Sequence, residues 1–360
     1  MKKFTCIFPG LYNYILTKDV GMIPYTLSSE YDTKIVTYNN DNYTYMNSLL
    51  LKDNFKLEYL TNTGNQKKDI VNYIKNNAKD IDIIQFYHLR YNELPLYVLF
   101  YKLYNRKGQI YLKLDSNNEM IDFLVKREGF LPSLRRLFMK IVFHFIDTIS
   151  IETKHNYNTL KESHLINKDS LIYIPNGIMS TETPLNKEKI ILYVGNIEKK
   201  NKRIDKLIDT VKKIDLKGWK LVLIGEIKED IQEYFIEDPN PIIEYKGYIS
   251  DKEKLAEEYS KASIYCCLSE KESFGISTLE AAYHGNYIIS TNVGGSQDIL
   301  EKTGYGKIIK DNLENLPETL QETINNWNIL EKNPEKNRKI INQTFNYNTI
   351  CEKLIKKFEK

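Results

Sequence analysis

Short apolar runs alternate with stretches of helical period along most of this chain, and few folds accommodate that alternation. It reads as α/β with parallel sheets. The second half is the clearer one. Strands are predicted there at Ile190–Val194, Trp219–Ile224, Ile242–Tyr245, Ile264–Leu268 and Tyr287–Ser290. Helices fit between them at about 203–214, 227–236, 251–261 and 276–284. Ser250 with Glu253 reads as a capping box for the third of these. In the first half, strands are predicted at Phe4–Pro9, Lys34–Thr37, Ile81–Phe86, Gln109–Leu114, Thr148–Ile151 and Leu171–Ile174. The region from about 40 to 80 is Asn-rich and has no assignable pattern. The stretch 331–343 reads as the approach to a last helix at about 347–359, and Pro184–Glu188 as a linker between the halves.

A length of 360 residues favours two domains. Residues are 42% hydrophobic and 28% charged, the profile of a globular protein in water. A formal net charge of +3 provides no global field for nucleic acid, and no nucleic-acid recognition motif is present, so none is expected as a partner. Cys6, Cys266, Cys267 and Cys351 match no zinc spacing and read as buried, reduced thiols of a cytoplasmic protein. Cys266 and Cys267 are adjacent in a strand and should face opposite ways. The opening MKKFTCIFPG has too short an apolar run for a signal peptide, and no segment has transmembrane length.

Most of the functional information lies in residues 265–295. An apolar strand ends in a polar loop holding Glu272, Phe274 and Gly275, and a helix pattern with Glu280 follows, closed by Gly285. A helix start offers free N–H groups and a positive dipole end, which suit phosphate. Gly275 permits close approach of a ligand to the backbone. The two carboxylates are then left for neutral partners such as sugar hydroxyls. An element that binds both phosphate and hydroxyls suggests a nucleotide sugar.

The segment Glu272-Ser-Phe-Gly-Ile-Ser-Thr-Leu-Glu280, followed by an apolar strand and Val293-Gly-Gly295, resembles the E-x7-E signature of retaining GT-B glycosyltransferases, in particular glycosyltransferase family 4. The resemblance implies two Rossmann-like, doubly wound domains facing a central cleft, with a C-terminal helix returning to the first. The domains are expected at 1–180 (acceptor side) and 181–340 (donor side), with the returning helix at 341–360. Glu280 is implied to hydrogen-bond ribose hydroxyls. Glu272 is implied to position the donor sugar and support it electrostatically during catalysis. Phe274, Gly275 and Ile276 would present backbone N–H groups.

Val194-Gly195-Asn196, running on to Asp205, resembles the segment in which family members hold the donor diphosphate with an Arg and a Lys. Cations are needed there because two phosphates carry the leaving group's charge, and these enzymes usually work without a metal. No cofactor or metal is expected here. The Arg position is Asn196, a departure that removes one charge. Lys202 best matches the Lys by its offset from Asp205, with Lys200 or Arg203 as fallbacks. Ile174-Pro-Asn-Gly177 resembles a hinge segment, and Gly21 a glycine facing the donor phosphates, although a plain helix-start glycine is the other reading. His88, just past the strand IDIIQF, could bond a donor hydroxyl or assist the acceptor, or be a surface loop residue. Asp115, at another strand end, is an acceptor-side candidate or a helix N-cap.

In Leu124–Phe145, Lys126, Arg127, Arg135, Arg136 and Lys140 are interleaved with Phe130, Leu131, Leu134, Phe138 and Phe143. This suits an interfacial helix on an anionic membrane, or an amphipathic helix whose apolar side is simply core. Pro132 is expected to break it in two. The expected function is retaining transfer of a sugar from a nucleotide diphosphate to a hydroxyl of a glycan, lipid-linked glycan or glycoprotein. UDP is the favoured nucleotide and GDP the next. A catalytically decayed nucleotide-binding scaffold is the alternative, kept open by Asn196.

Overall fold

The computed structural model describes residues 1–49, 54–126, 130–236, 241–331 and 334–360. Strands β1 (Lys3–Ile7), β2 (Asp32–Thr37), β3 (Phe55–Tyr59), β4 (Ile83–Tyr87), β5 (Gln109–Leu114), β6 (Thr148–Ile151) and β7 (Leu171–Tyr173) form one parallel sheet in the order β3-β2-β1-β4-β5-β6-β7. Strands β8 (Ile190–Val194), β9 (Lys220–Ile224), β10 (Ile243–Tyr245), β11 (Ile264–Cys267), β12 (Tyr287–Thr291) and β13 (Gly306–Ile309) form a second, in the order β10-β9-β8-β11-β12-β13. Each order reverses direction once, between β1 and β4 and between β8 and β11. Ligands of open α/β sheets sit at such a switch point, outside the carboxyl ends of the strands.

The chain divides into a unit of residues 1–177 and 347–360 and a unit of residues 178–346. The crossing at Gly177 lies ahead of the predicted linker at Pro184–Glu188. That stretch is held in the second unit by Lys187, whose ammonium donates to the carbonyls of Ala262 (2.6 Å) and His284 (2.5 Å) and to Asn286 Oδ1 (2.9 Å). The last helix, Tyr347–Phe358, packs on the first unit as expected. It buries Tyr347, Ile350, Cys351, Leu354 and Phe358, and the Phe358 ring meets Phe4 (6.1 Å) and Tyr111 (5.5 Å).

Central strands such as Ile190–Val194 and Lys220–Ile224 are almost wholly apolar because helices cover both faces of the sheet. The strands missing from the sequence reading, β3 and β13, are both sheet edges. In β3 only Phe55 is buried, so its hydrophobic pattern is weak. The 331–343 stretch also departs from expectation. It contains most of a helix, Pro334–Phe345, which buries Asn337, Ile341 and Phe345. Asp251, and not Ser250, caps the helix Lys252–Lys261, because its carboxylate accepts from both Glu253 N (2.9 Å) and Lys254 N (3.2 Å). Pro132 breaks nothing, since it stands in the first turn of the helix Phe130–His144, where no intrahelical N–H bond is lost. All four cysteines are buried free thiols, and Cys266 and Cys267 enter different cores.

Candidate donor and acceptor sites

In the second unit, two loops meet beside the β8/β11 switch point. The loop after β8 runs to Arg203, and the loop after β11 runs from Leu268 to Gly275. They are sewn together backbone to side chain. Asn201 Oδ1 accepts from Lys271 N (3.0 Å), its Nδ2 donates to the Lys271 carbonyl (3.2 Å), and Glu270 N donates to the Asn201 carbonyl (2.9 Å). This brings together two predicted site residues far apart in sequence. The Lys202 ammonium lies against Glu272 Oε1, which also accepts from Ser269 Oγ (2.7 Å). Both charged side chains keep about a fifth of their surface, 19% and 20%, so a ligand can reach them.

Gly275 precedes the helix Ile276–Tyr283 at φ +88°, the left-handed region where glycine costs least. Ile276 is the first residue of that helix, placing orphan N–H groups beside the two loops. Phe274 is buried: its ring joins the core near Phe345, and its carbonyl accepts from Gly295 N (2.7 Å). Val293-Gly-Gly295 therefore supports the Glu272 loop from behind. Glu280 is also held in place. Tyr259 OH donates to its Oε2 (3.0 Å), and Lys252 Nζ lies 3.8 Å from its Oε1. Burial, reinforced by the Glu280 carboxylate, pushes the Tyr259 phenol well above its ordinary pKa and keeps it a donor. Tyr259 and Lys252 were missed in the sequence; both are on the helix Lys252–Lys261, whose residues form no recognisable motif.

Gly195 follows β8 directly, and its N–H donates to the Ile224 carbonyl (2.9 Å). Asn196 is exposed, and its carbonyl accepts from Tyr193 OH (2.8 Å). Of the fallback cations, Lys200 is exposed, whereas the Arg203 guanidinium is committed to backbone carbonyls.

In the first unit, His88 and Asp115 come together past the ends of β4 and β5, with His88 Nδ1 3.9 Å from Asp115 Oδ2. His88 adopts φ +63°, an unusual conformation for a side-chain-bearing residue. Its N–H donates to the Lys113 carbonyl (3.0 Å). Beneath this pair is a buried cluster that the sequence reading missed. The Lys113 ammonium is fully buried and reaches Glu152 Oε1, Asp19 Oδ2 (3.0 Å) and Asn176 Oδ1 (3.0 Å). Burial works against the Lys113 charge, but Asp19 and Glu152 outweigh it and raise the pKa well above the ordinary value. The signal was the Lys in Leu112-Lys-Leu114, a charge inside a central parallel strand. Gly21 is closely packed: a Cβ there would lie 2.1 Å from the Leu16 carbonyl oxygen.

The helix Phe130–His144 buries one side, Met139, Val142 and Phe143, and exposes another. Leu134, Leu137, Phe138, Ile141 and Phe145 remain 54%, 58%, 49%, 55% and 50% exposed. Arg135 and Arg136 donate to the Phe123 (2.8 Å) and Val125 (3.0 Å) carbonyls, while Lys126 and Lys140 are exposed. Arg127 lies outside the described residues, as do the side chains of Phe130 and Leu131. No described helix is long and apolar enough to cross a membrane.

Comparison with known proteins places this architecture. The whole chain aligns with the solved structure of HepE from Anabaena in complex with UDP and glucose, covering 100% of each chain at a TM-score of 0.69 and 15% identity. The fold is GT-B, built of two Rossmann-like units. The Glycosyl transferases group 1 family model matches residues 178–346, the stretch that forms the second unit. The capsular polysaccharide biosynthesis glycosyltransferase CapM of Staphylococcus aureus is 29% identical over 177 residues, 47% of this chain and 46% of that protein. The N-acetyl-alpha-D-glucosaminyl L-malate synthase of Bacillus anthracis is 31% identical over 127 residues, 33% of this chain and 32% of that protein. The chain thus spans half or less of the length of these curated relatives.

Proposed function

We propose that this protein is a retaining glycosyltransferase that moves a sugar from a nucleoside diphosphate to a hydroxyl of a glycan, lipid-linked glycan or glycoprotein. The observation that carries the reading is the meeting of Lys202 with Glu272 and Ser269 beside the switch point, with Glu280 anchored by Tyr259 on the adjoining helix. Glu280 receives the ribose hydroxyls. Lys202 and the N–H groups of Gly275 and Ile276 take the diphosphate, with Asn196 and Gly195 lining the same edge. Glu272 positions the sugar. In transfer, the bond from sugar C1 to the diphosphate oxygen breaks and the bond to the acceptor oxygen forms on the same face. The acceptor proton passes to the departing diphosphate, whose charge Lys202 stabilises. His88 and Asp115 serve the sugar and the acceptor from the first unit, where Gly21 packs near the N-terminus of its helix. UDP is the favoured nucleotide, in keeping with the UDP bound to HepE, and GDP is the next. The CapM likeness favours a role in cell-surface polysaccharide biosynthesis.

We further propose peripheral attachment to the cytoplasmic membrane face through the exposed apolar stripe of Phe130–His144 and the Lys126 and Lys140 charges. Flotation with anionic phospholipid vesicles should carry the protein, and Ile141→Asp should abolish it. The enzymatic reading is tested by binding to a panel of nucleoside diphosphates and nucleotide sugars without metal. Selective binding of one base, lost in Glu280→Ala, is expected. Binding of none would overturn it.

A further inference from the structure

The loop that presents Lys202 ends in a strained residue. Arg203 adopts φ +54° and ψ +41°, the left-handed conformation, immediately before the helix Ile204–Lys213. A residue with a Cβ pays roughly 1–2 kcal/mol for that conformation, so it persists only where surrounding contacts impose it. The contacts here are three backbone carbonyls. Arg203 Nε donates to Leu268 O (2.6 Å), Nη2 to Ser269 O (3.0 Å) and Nη1 to Asp311 O (2.5 Å). Leu268 and Ser269 begin the loop that carries Glu272, and the Ser269 hydroxyl is bonded to Glu272 itself. Thr291 Oγ1 also donates to the Ser269 carbonyl (2.7 Å), bracing it from β12. A guanidinium has a rigid fork of donors suited to fixing several acceptors at once, which a lysine ammonium lacks.

We propose that Arg203 is a positioning residue for the donor diphosphate. Its three-carbonyl clamp and left-handed backbone lock the Lys202 loop onto the Glu272 loop, so that the Lys202 ammonium is held at the site and does not swing on a free loop. Arg203 acts through Lys202 and not on the ligand, because each of its three guanidinium nitrogens already donates to a backbone carbonyl. This inference rests on the donor-site reading above and goes beyond it by replacing a candidate phosphate contact with a clamp.

The test is a double-mutant cycle on the full chain. Arg203→Gly accepts the backbone conformation without strain and removes the clamp, and Arg203→Lys keeps the charge without the fork. Calorimetric binding of UDP and of uridine is compared in wild type, both Arg203 variants, Lys202→Ala and the double variant Lys202→Ala/Arg203→Gly. Arg203→Gly should weaken UDP about tenfold, with uridine unchanged, and Arg203→Lys should not rescue it. In the Lys202→Ala background, removing Arg203 should cost almost nothing more. Fully additive losses would show a direct phosphate contact and overturn the proposal, as would unchanged UDP affinity or an equal loss for uridine. If the wild type binds no nucleoside diphosphate, the donor-site reading fails on its own, and hydrogen exchange then decides the clamp. Faster exchange of the Glu270 and Lys271 amides in Arg203→Gly supports it, and unchanged exchange overturns it.

Discussion

Each unit sets a lysine against a glutamate near the carboxyl end of its parallel sheet, and the two pairs differ chiefly in burial. Lys202 and Glu272 retain 19% and 20% of their side-chain surface, whereas Lys113 and Glu152 retain 0% and 1%. In the second unit the charges lie on loops, within reach of solvent and ligand. In the first they lie inside, joined by Asp19 and Asn176, and tie the start of one helix to the ends of two strands and the exit of the chain. The same chemical pair is therefore open to a ligand at one site, as the proposed donor role requires, and enclosed as architecture at the other. A pair on loops that keeps a fifth of its surface in solvent contributes less stability than a buried one and can exchange partners for a ligand. A buried charge that loses its partner leaves an uncompensated ion in a low-dielectric interior.

The largest expected effect tests the buried member. Lys113→Ala should destabilise the protein by about 3–5 kcal/mol in urea unfolding, because two carboxylates lose their cation. A loss below about 1 kcal/mol would mean that the cluster behaves like a surface pair and would break the comparison. A buried group in the second unit provides the next test. Burial, helped by the Arg338 and Lys187 charges, pushes His284 down to about 4. The unfolded chain then protonates first, at its ordinary value of about 6.5. The contribution of His284 to stability is thus complete above that value and is lost as pH falls toward 4, by at most about 3 kcal/mol. His284→Gln should show a smaller difference in melting temperature between pH 7 and pH 4.5 than wild type does, and an identical difference would refute the assignment.

Smaller effects sharpen the exposed side. Glu280→Ala should weaken nucleoside diphosphate binding by about 1.5–3 kcal/mol, the range for hydrogen bonds to a charged group. Lys202→Ala should weaken diphosphates while sparing the free nucleoside, and should change stability by less than about 1 kcal/mol. An equal loss for both ligands would place Lys202 outside the diphosphate site. Glu272→Ala should lower turnover more than donor affinity. The smallest effect is a gain: Asn196→Arg should tighten diphosphate binding several-fold, by about 1 kcal/mol, if its neighbourhood is where the missing charge belongs.

Legibility in the sequence followed burial and distance along the chain. Glu272, Phe274, Gly275 and Glu280 were readable because one strand–loop–helix junction holds all four. Lys202 was readable by its offset from Asp205, but its partner was not, since Glu272 is 70 positions away. Arg203 read as a spare cation because sequence shows its charge and not the carbonyls that engage it. The apolar residues of Phe130–His144 fitted either core or an interfacial face by sequence, and only the packing of Met139, Val142 and Phe143 divided them.

The sequence by itself determined the class of fold, since uninterrupted apolar strands alternating with helices have one economical arrangement, parallel strands covered on both faces. It also supplied the motif on which the proposed donor site of the second unit rests, a local pattern of residue types. Only the tertiary structure decided which strands form the sheet edges, where the chain passes from one unit to the other, and which charges are buried. Those outcomes depend on contacts between residues far apart in the chain, whose energies no local pattern records. Lys113 illustrates the limit: it passed unnoticed inside a strand motif, and the acids that make it tolerable come from the start of a helix before it and from just past the end of a strand after it.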